Sequence, residues 1–67
     1  MPMRAMYNRE SKNMWIVYDD GSTEEVGQAD TVRETYVLLD AAGFMRMGDW
    51  LLVASGSPLR VARIQRK

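Results

Sequence analysis

The chain has 67 residues, nine basic and nine acidic, with no net charge and with neither histidine nor cysteine. The missing imidazole removes the usual proton shuttle near pH 7, and the missing thiol removes thiolate nucleophiles, disulfides and soft metal ligands. This length supports a single domain over residues 1–67, and an apolar content of 46% is too high for a disordered chain.

Arg4 to Asn8 is a candidate for a short N-terminal strand. Met1, Met3 and Met6 each offer a translation start, so the first residues are expected to be dispensable. Asn13 to Tyr18 is apolar, aromatic and β-branched, and reads as a strand. Asp19-Asp20-Gly21-Ser22 follows, and Asp-Gly between two strand-like runs marks a hairpin. Thr23 to Val26 returns as an acidic strand, whose glutamates suit a sheet edge. Gly27-Gln28-Ala29 is expected to break that strand.

A helix is predicted from about Thr31 to Ala42. Asp30 or Thr31 serves as N-cap, and Thr31 with Glu34 has capping-box spacing. Val32, Tyr36 and Leu39 form the apolar stripe, widened by Thr35, Leu38 and Ala42. Gly43 suits the left-handed residue that ends a helix.

Phe44 to Met47 reads as the path out of the helix into a turn at Gly48-Asp49. Trp50 to Ser55 is apolar at alternate and intervening positions alike, as in a strand covered on both faces. Gly56-Ser57-Pro58 is turn chemistry, and Leu59 to Gln65 is the last strand. There Leu59 and Val61 share one face while Ala62 and Ile64 share the other, so a bulge near Val61-Ala62 is expected.

These elements define an α+β domain of hairpin–helix–hairpin order (ββαββ), with one helix on a four-stranded sheet and an extra N-terminal strand as an addition. The order is similar to the β-grasp arrangement, which implies that the first and last strands are central and parallel. No residue motif identifies a family.

One helix covers one sheet face. The other face then exposes either Met14, Ile16 and Tyr18 or Trp15 and Val17, together with either Trp50, Leu52 and Ala54 or Leu51 and Val53. Both sets are apolar, and a spare apolar face marks an interface. A chain this short buries only about 60% of its unfolded surface. Disulfides are excluded and a metal has no His or Cys to hold it, so a homodimer is the expected source of added stability.

Charge is segregated along the chain. Arg4, Arg9 and Lys12 against Glu10 give residues 1–12 a net +2. Asp19, Asp20, Glu24, Glu25, Asp30, Glu34 and Asp40 against Arg33 give residues 13–43 a net −6. Arg46, Arg60, Arg63, Arg66 and Lys67 against Asp49 give residues 44–67 a net +4. Such blocks usually serve solubility and encounter.

Asp19, Asp20, Glu24 and Glu25 offer oxygens to a hard cation but lack EF-hand spacing, so no metal is expected. Ser11, Ser22, Ser55 and Ser57 lie in predicted turns or their margins, where serine is common, and the only candidate bases are Lys12, Lys67 and the carboxylates. Glycines form neither a phosphate loop nor a dinucleotide fingerprint, so no cofactor and no catalysis are expected. Neither a signal-peptide core nor a membrane-length apolar run is present, and the lack of cysteine agrees with a cytoplasmic location.

The expected function is non-enzymatic protein binding, as an adaptor, regulator or inhibitor. Its favoured partner-binding residues are Asp19, Asp20, Glu24 and Glu25, because they combine like charge with an edge strand. The alternative is a nucleic-acid-binding module using Trp15, Arg60, Arg63, Arg66 and Lys67, since aromatics stack on bases and arginines meet phosphates.

Overall fold

A computed structural model describes residues 3–67. It contains strands β1 (Arg4–Asn8), β2 (Asn13–Val17) and β3 (Thr23–Gln28), helix α1 (Val32–Ala41), and strands β4 (Phe44–Arg46), β5 (Leu51–Leu52) and β6 (Leu59–Arg66). The α+β class and the single helix agree with the sequence. The sheet is larger than expected, running β3-β2-β1-β6-β4, with β5 also paired to β6.

Every pairing is antiparallel. This overturns the β-grasp analogy: β1 lies between β2 and the last strand, so the N-terminal strand is central. Met3 packs against the core and Arg4–Asn8 pairs on both sides. The expectation that the first residues are dispensable therefore fails from Met3 onward, while Met1 and Pro2 lie outside the described residues.

The β1 and β2 patterns alternate strictly, which turns Ala5, Tyr7, Met14 and Ile16 into the core. Ala62 and Ile64 of β6 join them on the same face. The turn between β2 and β3 is held by Tyr18 and Ser22, whose backbone bond measures 2.8 Å. Gly21, at φ 88°, supplies the left-handed residue this turn needs.

Gly27-Gln28 continues β3 instead of breaking it. The register slips between Met14 and Trp15, whose partners are Gly27 and Glu25, so Val26 is the extra residue. The sheet's irregularity is thus here. The expected bulge at Val61-Ala62 is absent, since β1 and β6 pair in unbroken register from Arg4–Arg63 to Asn8–Leu59. Both faces of β6 are apolar because one meets the helix side and the other the open side.

Thr31 caps α1, accepting a hydrogen bond from the Glu34 backbone N–H at 3.3 Å. Glu34 Oε2 in turn accepts from the Asp30 backbone N–H at 3.3 Å. Gly43 follows the helix at φ 88°. The buried stripe is Thr35 and Leu39 with Leu38 half-buried, while Val32, Tyr36 and Val37 are exposed. The predicted stripe thus holds at Leu39 and on its widened side at Thr35 and Leu38, and fails at Val32, Tyr36 and Ala42. A Cβ at Gly27 would meet the Leu38 methyls at 3.5 and 3.7 Å, ordinary contact distances that place α1 close over β3. The helix touches both β3 and β4, the two ends of the strand order, so the sheet curls around it.

Phe44 to Met47 was expected to be a path to a turn, yet Phe44–Arg46 pairs with β6 and Phe44 is buried. The doubly covered strand expected at Trp50–Ser55 shrinks to Leu51–Leu52, with both residues exposed. The chain bends at Gly48 before this segment and again at Val53-Ala54 after it, where the Ser57 N–H closes a turn on the Ala54 carbonyl at 3.0 Å.

Candidate functional site

The sheet face away from the helix is built by register. Glu25, Trp15, Met6, Val61 and Leu51 stand side by side across five strands. Thr23, Val17, Arg4 and Arg63 form the adjacent row, extended by Met47, whose N–H bonds the Arg63 carbonyl at 2.8 Å. Trp15, Met6, Val17 and Val61 are only half-buried and no helix covers them. The open face therefore carries Trp15 and Val17, and the helix side takes Met14 and Ile16.

Three strands lie at the margins of this sheet, β3 at one end and β4 and β5 beside β6 at the other, and β3 and β5 differ in chemistry. The β3 edge presents Glu24 and Glu25, both exposed. The β5 edge is uncharged, and Leu51, Leu52 and Val53 are 63%, 51% and 47% exposed. Met45 and Met47 are exposed nearby in sequence. β5 pairs with β6 only, and the Val53 N–H points inward to the Leu59 carbonyl at 3.4 Å. By strand alternation the Leu52 N–H and C=O point outward to the edge.

Trp50 anchors this segment. Its ring lies 6.0 Å from that of Tyr7, and its indole N–H donates to Thr35 Oγ1 at 3.2 Å. The Tyr7 hydroxyl donates to the Ala29 carbonyl at 2.6 Å. Trp50 is thus a core anchor that holds β5 while leaving its outer edge open.

The acidic residues favoured from sequence are all exposed. They do not converge: Glu24 pairs with Ile16 and Glu25 with Trp15, which lie on opposite faces. Asp20 shapes the turn, its Oδ1 accepting from the Ser22 hydroxyl at 2.6 Å and the Ser22 N–H at 2.9 Å. The Ser22 hydroxyl first, and then its N–H, hold the Asp20 carboxyl below the ordinary value. Desolvation first, and then the nearby Glu24, push the Tyr18 phenol above its ordinary value. Among the described residues no group of three or more Asp and Glu side chains is arranged to hold a metal.

The basic set does not converge either. Arg63 shares the open face with Trp15, whereas Arg60 and Arg66 lie on the other face of β6. Arg66 sits over the Phe44 ring at 5.3 Å, and Lys67 pairs with Asp40. Sequence reasoning missed Met6, Arg4 and the outer edge of β5. The alternation of Ala5 and Tyr7 against Arg4, Met6 and Asn8 carried the signal for the first two. Among the described residues no helix is long and apolar enough to cross a membrane.

No protein-family model matches this chain, and neither the curated proteins nor the solved structures give a match.

Proposed function

We propose that this chain is a non-enzymatic protein-binding domain of the cytoplasm, an adaptor, regulator or inhibitor, that works as a homodimer joined at the β5 edge. The observation that carries the reading is the contrast between the β3 and β5 edges. An exposed, uncharged apolar edge strand is a template for pairing with another chain. The glutamates of β3 oppose self-pairing at that edge, whereas β5 carries no charge that would oppose it. Two β5 strands related by a two-fold axis pair antiparallel, with Leu52 opposite Leu52 and Leu51 and Val53 packing alongside.

A stable interface needs about 800 Å² per partner, under a fifth of the 4369 Å² this chain exposes. Leu51, Val53, Met47 and the adjoining open face supply the apolar part. Sedimentation at micromolar concentration tests the reading: it is expected to give twice the chain mass, and Leu51→Glu to give a folded monomer. A wild-type monomer at every concentration would refute it.

The second reading is a nucleic-acid module, supported by Trp15 of β2, which shares the open face with Arg4 of the neighbouring β1 and Arg63 of β6 beyond it. It calls for oligonucleotide binding that weakens steeply with salt and is lost in Trp15→Ala.

A further inference from the structure

We infer that the groove between the β1–β2 turn and the loop entering β6 binds the phosphate group of a small phosphorylated ligand, through Arg9, Lys12 and Arg60. The groove is open to solvent, has a volume of about 580 Å³, and is lined on one side by Leu52 and the Gly56–Pro58 turn. Its walls are tied together, because the Arg9 N–H donates to the Pro58 carbonyl at 3.0 Å. Its size is that of sites for small molecules.

Three cations meet here and one carboxylate, Glu10, stands among them. Among the described residues none of the three cations is in an ion pair. Arg60 is set in place by Nη1, which donates to the carbonyls of Ser57 at 2.9 Å and Leu59 at 3.1 Å. Its other N–H groups remain for an anion, in the fork geometry that suits phosphate.

Lys12 adds an independent argument. It is the only non-glycine residue with positive φ among the described residues, at 69°. Its backbone is fixed there on both sides: its N–H donates to the Asn8 carbonyl at 2.8 Å, and its carbonyl accepts from Ala29 at 2.9 Å. Asn8 Oδ1 secures the turn further, accepting from the N–H groups of Glu10 at 2.8 Å and Ser11 at 3.1 Å. Glycine or asparagine takes this conformation with less strain. A lysine at this position keeps a cation at the wall of the groove despite the less favourable backbone.

The three cations converge on one place and do not form a track. Arg4 and Arg63 lie on the open face, and Arg66 and Lys67 at the far end of β6. The arrangement therefore fits a compact anion better than a polymer. The inference stands on residues other than those of the proposed dimer edge, Leu52 excepted.

The test is an NMR titration of the full chain with inorganic phosphate, against chloride at matched ionic strength, with single-stranded oligonucleotide in parallel. The expected result is saturable shifts confined to Arg9, Lys12, Arg60 and the Gly56-Ser57 turn. Lys12→Gly is expected to bind phosphate about tenfold more weakly while melting at or above the wild-type temperature, since glycine relieves the left-handed backbone. Arg60→Gln is expected to weaken binding similarly. Wild-type affinity in Lys12→Gly, or shifts spread equally over Arg4, Arg63 and Arg66, would overturn the proposal. So would oligonucleotide binding tighter than phosphate with a salt dependence of several ions, which would mark a polymer site.

Discussion

The Trp50 indole donates its N–H to the Thr35 hydroxyl across 3.2 Å, joining the approach to β5 to the buried face of α1. Thr35 is fully buried, and its own proton goes to the Val32 carbonyl. One hydroxyl therefore satisfies two polar partners and sets where β5 begins. Leu51 and Leu52 follow Trp50 directly and pair with Val61 and Arg60 of β6, so this bond ties the start of the strand to the helix.

Thr35→Val is expected to destabilise the fold by about 1–3 kcal/mol, because the indole N–H is left without a partner in a nearly unchanged volume. Thr35→Ser keeps the hydroxyl and is expected to cost less. Thermal melts of both variants check this, and a larger loss in Thr35→Ser than in Thr35→Val would assign the effect to packing of the methyl group.

Thr31→Ala removes the side chain that accepts from Glu34 and is expected to cost about 0.5–2 kcal/mol. Asp30→Ala is expected to cost far less, since Asp30 contributes only its backbone N–H to the helix start. Chemical denaturation of the two variants separates them. A larger loss in Asp30→Ala would mean that the cap has been assigned to the wrong residue.

Gly27 lies at φ 149° directly under Leu38. Gly27→Ala adds a methyl at ordinary contact distance but forces a backbone conformation that side-chain-bearing residues rarely adopt. A lower melting temperature with the helix signal retained is expected. Unchanged stability would show that the backbone relaxes there without cost.

The first hairpin has a predictable response to acid. Ser22 holds the Asp20 carboxyl below its ordinary value, so the folded chain favours the carboxylate. The turn's stabilisation is complete above the ordinary carboxylate pKa and is lost as the pH falls through the lowered one. Ser22→Ala is expected to move the Asp20 midpoint upward in a carboxyl-carbon NMR titration. An unmoved midpoint would deny Ser22 that role.

Much of this fold was legible because local chemistry is explicit. Asp-Gly gave the hairpin, Thr31 with Glu34 gave the helix start, and Gly43 gave its end. The glutamates of Thr23–Gln28 correctly marked an edge. Residues 44–55 misled because composition does not report room. Trp-Leu-Leu-Val-Ala reads as a core strand, yet one helix cannot cover a six-stranded sheet, and the segment lies at its margin. The helix stripe misled for a related reason. Val32 and Tyr36 have the right spacing, but the curled sheet reaches only the side bearing Thr35, Leu38 and Leu39. The Arg9–Lys12–Arg60 groove joins residues far apart in the chain, and only the pairing of β1 with β6 brings them together.

Self-pairing of β5 is tested most directly at the Leu52 amide. In a lone chain this N–H points to the open edge, whereas that of Val53 is bonded inward to Leu59. Hydrogen exchange of both amides, followed from dilute to concentrated protein, is expected to show Leu52 gaining protection with concentration as the chain dimerises, without a matching change at Val53. A Leu52 amide that exchanges freely at every concentration, in protein that sediments as a dimer, would contradict the account and place the interface elsewhere.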